Sequence, residues 1–78
     1  MTPAQCRAAR GLLDWTRGKL AEVAGVTLPT VIEFETKGRA VGTATVQSMK
    51  RALEAAGVEF IAENGSGAGV VFRKGILN

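Results

Sequence analysis

The chain of 78 residues has no histidine and no tyrosine, and it has a single cysteine, one tryptophan and three phenylalanines. Without histidine, and with one cysteine, it offers neither a disulfide framework nor the ligands of an ordinary zinc site. Its few carboxylates are scattered along the sequence, so we expect no acid and base paired in a cleft. These absences argue against an enzyme and against a bound metal or cofactor.

Long apolar runs are also missing, since no uninterrupted stretch approaches the ~18 residues that a membrane-spanning helix requires. No secretory leader is recognisable, so we expect a cytoplasmic protein without a membrane partner. Ten lysine and arginine residues against seven acidic residues give a net charge of +3. A basic balance of this size suits a polyanionic partner without establishing one.

Apolar residues at helical spacing predict four helices in residues 1–57. Thr2 and Pro3 begin the first helix as its N-cap and first helical residue. Gln5 is expected on the solvent face of this helix, whereas Cys6 falls on its apolar stripe and should be buried. Thr45 is predicted to cap the fourth helix.

The stretch from Thr16 to Gly38 predicts two short helices joined by a tight turn. Thr16 and Thr27 are the hydroxyl N-caps of the two helices. Gly25 can adopt the left-handed conformation that ends the first helix, and Pro29 fits the first turn of the second. Two short helices separated by such a turn are typical of a helix-turn-helix, whose second helix enters the DNA major groove.

A set of spaced residues in this stretch forms one pattern, namely a cap, Leu-Ala, Ala-Gly-Val-Thr, a β-branched residue, an aromatic residue followed by Glu, and a later Gly. The residues are Thr16, Leu20, Ala21, Ala24, Gly25, Val26, Thr27, Val31, Phe34, Glu35 and Gly38. In this pattern the segment resembles the phage-repressor (Cro-like, XRE) helix-turn-helix family. The resemblance covers roughly residues 2 to 56 and implies a mainly α fold, a four-helix lambda-repressor-like domain.

Helix 28–35 would be the recognition helix of such a domain, with double-stranded DNA as its partner. The predicted base contacts are Leu28, Pro29, Thr30 and Glu33. The predicted phosphate contacts are Thr16, Arg17, Thr27, Lys37 and Arg39. The sequence leaves open whether the neighbouring Ile32 packs internally or lines an interface.

Arg10 falls close to the buried stripe of the first helix, which is unusual for a charged residue. In proteins similar to this one, an arginine at that place pairs with the Glu that ends the recognition helix, here Glu35. A buried pair of this kind would fix the relative orientation of the two helices. The alternative is that both charges are solvated.

Beyond residue 57 the pattern alternates and predicts a C-terminal β-hairpin with strands at 58–62 and 70–73. We therefore divide the chain into a DNA-binding domain, 1–57, and a hairpin with a tail, 58–78, in the same compact unit. A lone hairpin is marginally stable, so either it packs on the first or fourth helix or its edge pairs with a second copy. The residues expected in such a homodimer are Val58, Phe60, Ile61, Val70, Val71 and Phe72.

Together these features favour a sequence-selective transcriptional regulator that acts as a homodimer in the cytoplasm, associated with the nucleoid. The alternative is an antitoxin-like or adaptor protein that binds a protein partner through the hairpin. The apolar outward face of the recognition helix and the apolar hairpin keep this alternative open. Salt-dependent DNA binding would separate the two functions.

Overall fold

Four helices precede an antiparallel hairpin in the computed structural model, which describes residues 1–38, 41–64 and 67–73. The helices are α1 (Pro3–Leu13), α2 (Arg17–Ala24), α3 (Leu28–Lys37) and α4 (Thr43–Ala55), and the strands are β1 (Val58–Asn64) and β2 (Gly67–Phe72). The predicted small, mainly helical domain with a C-terminal hairpin is confirmed. Within the described residues, no helix has the length and apolar character needed to cross a membrane.

The first three helices each begin at a threonine whose hydroxyl accepts a hydrogen bond from a first-turn backbone N–H. The donors lie three residues on, at 3.0 Å for Thr2 and Thr16 and at 3.4 Å for Thr27. Gly25 ends α2 with a φ of 72°, as the predicted left-handed cap requires, and Gly38 ends α3 in the same way with a φ of 74°. The three residues from Gly25 to Thr27 are therefore enough to separate α2 from α3.

Two predicted helix boundaries were wrong. Helix α4 begins at Thr43 with Gly42 as its N-cap, rather than after Thr45. The prediction relied on the hydroxyl of Thr45, but the N-cap is a glycine, which caps the helix without a side-chain hydrogen bond. Helix α3 continues two residues beyond its predicted end, through Lys37, before Gly38 stops it.

The core lies between the helices and one face of the hairpin, and most of its side chains are small. Its buried residues are Cys6, Ala9, Leu20, Ala21, Val31, Phe34, Met49, Ala52, Leu53 and Val58. Cys6 is fully buried, as predicted.

The hairpin packs on its own chain, which was one of the two arrangements expected. Its register pairs Val58 with Phe72 and Phe60 with Val70. Val58 belongs to the core, and Phe60 and Val70 pack against it. Val58 is only 4% exposed, so little of its side chain is available for the predicted contact with a second copy. A two-stranded hairpin is stable only when one of its faces is buried, and here the helices cover that face.

Gln5 joins α1 to the hairpin, so the prediction that it faces solvent was wrong. Its Nε2 donates hydrogen bonds to the main-chain oxygens of Ile61 at 3.1 Å and Gly69 at 2.9 Å. Its Oε1 accepts from the backbone N–H of Thr2 at 2.9 Å. A polar side chain is stable at this buried position because the hairpin presents backbone carbonyls to it.

Candidate nucleic-acid interface

Glu35, near the end of α3, is the centre of a buried polar cluster, and its side chain has no exposed area. Arg10 of α1 donates two hydrogen bonds to this carboxylate, from Nε at 2.7 Å and from Nη2 at 2.8 Å. Arg17, the first residue of α2, donates from Nε at 2.9 Å. The thiol of Cys6 donates at 3.1 Å. One carboxylate therefore joins α1, α2 and α3 through hydrogen bonds that are mostly charge-assisted.

The surroundings of Glu35 keep it ionised. Burial acts to raise the pKa of Glu35, but the hydrogen bonds from Arg10, Cys6 and Arg17 outweigh burial and lower this pKa. Burial, together with the hydrogen bond to Glu35, raises the pKa of the Cys6 thiol to about 12. This thiol is therefore protonated at neutral pH and is a poor nucleophile.

Positive charge exceeds negative charge around Glu35. A third arginine, Arg7 of α1, donates from Nη1 to the main-chain oxygen of Glu35. Three guanidinium groups thus contact one glutamate, two at its carboxylate and one at its main-chain oxygen. The side chain of Arg17 is 39% exposed. Glu35 accepts a hydrogen bond from one N–H of its guanidinium, and the group has further N–H donors. This corner of the molecule can therefore bind a further anion at the surface.

The four predicted base contacts lie on α3 outside its buried side, which is formed by Val31, Phe34 and Glu35. Leu28 is 44% exposed, Pro29 is also exposed, and Thr30 and Glu33 are partly exposed. Ile32, whose environment the sequence left open, is 37% exposed on the same side of the helix. The outward face is therefore a mixed surface of aliphatic and hydrogen-bonding side chains.

An open cleft of about 380 Å³ separates this face from the start of α4. The residues that line it are Pro29, Thr30, Glu33, Val41, Gly42 and Thr45. No side-chain hydrogen bond caps the first turn of α4, because Gly42 occupies the N-cap position. The first N–H groups of α4 thus need solvent or a ligand as their partner.

Four of the five predicted phosphate contacts lie within the described residues. Thr16 and Thr27 are exposed at the N-termini of α2 and α3. Lys37 is 68% exposed, and its Nζ lies 3.5 Å from Oε2 of Glu33, so a predicted phosphate contact and a predicted base contact form an ion pair. Arg39 lies outside the described residues.

The contact between Arg17 and Glu35 was not anticipated from the sequence. The sequence contained one signal for a shared acidic partner, namely an imbalance of charge. Arg7, Arg10 and Arg17 fall in two adjacent helices, and no acidic residue was predicted to pair with more than one of them. The structure shows that Glu35 serves all three arginines, two through its carboxylate and one through its backbone.

The second face of the hairpin is exposed and mixed in character. Val71 is 40% exposed, and Arg73 and Glu59 form an ion pair across the two strands. The other residues predicted for the dimer are partly buried, namely Phe60, Ile61, Val70 and Phe72. Val71 is thus the most accessible apolar side chain of the predicted dimer set.

Within the described residues, no group of histidine, cysteine, aspartate or glutamate side chains is arranged to hold a metal ion. No protein-family model matches the chain, and no curated protein matches it. A function for this chain therefore has to be argued from its own residues and contacts.

Proposed function

We propose that the chain is a transcriptional regulator that binds double-stranded DNA through a helix-turn-helix of the phage-repressor (Cro-like, XRE) type. In this proposal α2 and α3 are the two helices, Gly25 to Thr27 form the turn, and α3 lies in the major groove. The observation that carries the proposal is the Glu35 cluster. It attaches the inner face of α3 to α1 and α2 while the outer face of α3 stays exposed.

A recognition helix has to be held in a fixed orientation relative to the groups that bind the DNA backbone. Glu35 supplies such a constraint, because Arg10 binds it through two parallel hydrogen bonds and Arg17 through a third. Bidentate arginine–carboxylate pairs restrict geometry more than single hydrogen bonds do. The outward residues of α3 are thereby placed at a defined distance from the N-terminus of α2.

Phosphate binding is supported at two helix N-termini and by the basic side chains near them. Arg17 stands at the first position of α2, directly after the exposed Thr16. Helix N-termini favour anions because of their free N–H groups and the helix dipole. The contact with Glu35 orients the Arg17 guanidinium before DNA arrives, which reduces the entropy lost on binding. The uncapped first turn of α4 offers a second set of donors.

Base readout in this proposal uses the outward face of α3. Glu33 can accept a hydrogen bond from cytosine N4, and Thr30 can bond to more than one base. The ion pair of Glu33 with Lys37 is exposed and 3.5 Å long, so it is weak enough to be replaced by DNA contacts. Lys37 is then free to bind a phosphate next to the base that Glu33 contacts.

We include a homodimer in the proposal because helix-turn-helix regulators commonly read two half-sites about one helical turn apart. The exposed hairpin face is suited to contact with its own copy, since it carries both Glu59 and Arg73 beside Val71. In a two-fold symmetric dimer, Glu59 of one copy can pair with Arg73 of the other copy. We expect Val71→Glu to lower the sedimentation coefficient to that of a monomer without unfolding the chain. A dimer that persists in this variant would place the interface elsewhere.

A second candidate function is an antitoxin-like or adaptor protein that binds another protein through the hairpin. The exposed Val71 favours it, because an exposed aliphatic residue beside an ion pair also fits a protein partner. This function requires no salt-dependent binding to DNA, so a single binding experiment distinguishes it from the first.

The test is a gel-shift titration on mixed genomic fragments over a series of salt concentrations. For a DNA-binding protein, the logarithm of the binding constant should fall linearly with the logarithm of salt concentration. Arg17→Ala and Lys37→Ala should each reduce the magnitude of this slope by ~1. Arg51→Ala is the matched control, since Arg51 is an exposed arginine in the second half of α4. Unfolding of each variant is measured in parallel, because Arg17 also binds Glu35.

The outcomes separate the two candidates. Equal slopes for the parent, Arg17→Ala and Lys37→Ala would contradict the proposed docking of α2 and α3 on DNA. Complete absence of DNA binding at low salt would contradict the regulator and leave the protein-binding function.

A further inference from the structure

The outer edge of β2 carries main-chain groups that the hairpin does not use. The backbone N–H of Arg73 donates to the main-chain oxygen of Gly57 at 2.7 Å, so these two residues form a hydrogen-bonded pair in the register of the hairpin. Hydrogen-bonded and non-hydrogen-bonded pairs alternate along antiparallel strands. The N–H and C=O groups of Val70 and Phe72 therefore point away from β1. Within the described residues, no backbone group of another element bonds to them.

An open groove of about 380 Å³ lies between this edge and the start of α1. The lining side chains are small or uncharged, namely those of Thr2, Ala4, Gln5, Ala8, Ala68, Gly69 and Val70. None of these residues belongs to β1, so the groove lies on the outer side of β2. An extended chain in this groove can pair with the free main-chain groups of β2 and bury side chains against α1.

β2 lacks the features that usually protect a free strand edge. From Gly67 to Phe72 it has no charged residue and no proline. β1, by contrast, contains Glu59, and the register shifts between Ile61 and Asn64. Charges, prolines and bulges commonly keep exposed strands from pairing with other chains. Of the two edges of the hairpin, the edge of β2 is therefore better suited to accept another strand.

A second cleft, of about 290 Å³, adjoins the groove, since Thr2, Gln5 and Ala68 line both. Among the described residues, Lys50 of α4 is the only charged side chain that lines either cleft. Its Nζ lies 5.7 Å from the centroid of the Phe60 ring. A carboxylate that enters the second cleft would therefore meet a complementary charge beside an apolar lining.

We propose that the edge of β2 binds an extended peptide segment of another protein as a third strand. The side chains of this segment that face α1 are uncharged, and an acidic side chain at its end near Ala68 approaches Lys50. A second copy of β2 is a poorer match, because it has no carboxylate to place beside Lys50. The proposed DNA contacts lie on other elements, so peptide binding and DNA binding can be tested separately.

The experiment begins with selection of random peptides displayed on phage against the full chain, followed by synthesis of the enriched peptides. We expect alternating apolar sequences with Asp or Glu near one end. Amide hydrogen exchange is then measured by NMR with and without the peptide. Protection should rise at Val70 and Phe72. It should change little at Gly69 and Val71, whose N–H groups already bond to β1 in this register.

Two pairs of variants identify the groups responsible. Val70→Pro removes the outward N–H, whereas its control Val70→Ala also shortens the side chain but keeps that N–H. We expect Val70→Pro to bind about tenfold more weakly than Val70→Ala. Lys50→Glu should weaken binding about fivefold, the factor that corresponds to an ion pair of ~1 kcal/mol. Arg51→Glu, at an exposed position of α4, is the control and should bind as the parent does.

Each outcome supports or contradicts the inference. Failure to enrich any peptide, or peptides that protect neither Val70 nor Phe72, would overturn it and leave the proposed DNA binding unaffected. Equal affinity of Lys50→Glu and Arg51→Glu would overturn the assignment of an acidic partner. If the chain alone sediments as a dimer that Val70→Pro abolishes and Val70→Ala retains, the edge binds a second copy instead. If Val70→Pro fails to fold, the exchange data for the parent chain decide.

Discussion

Glu35 and Gln5 are both buried polar side chains, yet they hold the molecule together in different ways. Glu35 is 2% exposed and Gln5 is 7% exposed. Glu35 carries a charge and receives hydrogen bonds from two arginines and a thiol, which tie three helices together. Gln5 is neutral, and its amide joins the start of α1 to two carbonyls of the hairpin.

The difference is one of charge, since the contacts of Glu35 depend on an ionised carboxylate and those of Gln5 involve a neutral amide. Among the described residues, every buried side-chain nitrogen and oxygen has a hydrogen-bond partner. Removing one member of a charged buried set leaves the others uncompensated, which is more damaging than losing neutral hydrogen bonds. The helices around α3 should therefore depend on Glu35 more strongly than the hairpin depends on Gln5.

The largest effect is expected from Glu35→Ala or Arg10→Ala. Each leaves buried charge without its partner, so we expect the free energy of unfolding to fall by ~3–5 kcal/mol. The measurement is urea unfolding, with the double variant completing a thermodynamic cycle. Lys37→Ala is the control, because it breaks an exposed pair that should contribute at most ~1 kcal/mol. Small and additive losses from Arg10 and Glu35 would mean that the two charges are independent.

Acid should weaken the Glu35 cluster and spare the Gln5 contacts. The pKa of Glu35 is lower in the folded chain than its usual value of 4.5, so the unfolded chain takes up the proton first as pH falls. The stabilisation is complete above about pH 4.5 and is lost as pH falls through the folded pKa. The free energy of unfolding, measured as a function of pH, should fall less in acid for Glu35→Gln than for the parent. Gln5→Ala should show the same fall in acid as the parent. If Glu35→Gln also showed the same fall as the parent, Glu35 would not be the source of the acid sensitivity.

A smaller effect is expected from Gln5→Ala. It leaves the main-chain oxygens of Ile61 and Gly69 without this donor, which should lower the free energy of unfolding by ~1–3 kcal/mol. Hydrogen exchange should accelerate most at the hairpin amides and least in α2 and α3. Gln47→Ala, at an exposed glutamine of α4, is the matched control. Uniform acceleration throughout the chain would show that the hairpin does not open separately.

Sequence analysis anticipated the parts of the fold that depend on local pattern. The caps at Thr2, Thr16 and Thr27 and the glycine stop at Gly25 were predictable because each depends only on neighbouring residues. The pairing of Arg10 with Glu35 was expected from a family resemblance, and the structure places the two side chains in contact. No comparable pattern exists for the contacts of Gln5 with the hairpin, since its partners there are backbone oxygens that any residue would supply.

The candidate site was less predictable for a related reason. Arg17 was expected to reach a phosphate, and its additional contact with Glu35 depends on how α2 and α3 pack. Ile32 could not be placed from its spacing, because it falls at the border between the buried and exposed sides of α3. Long or borderline side chains are directed by tertiary packing, which sequence periodicity does not describe.

The span of the Gln5 contacts has a consequence for how the chain folds as it is synthesised. Arg10 and Arg17 are separated from Glu35 by 25 and 18 residues, whereas Gln5 is 64 residues from Gly69. At a translation rate of ~5–20 residues per second, Gly69 is synthesised roughly 3 to 13 seconds after Gln5. The arginines can bind Glu35 well before that. The nascent helices must therefore stay soluble with the hairpin-binding surface of α1 uncovered.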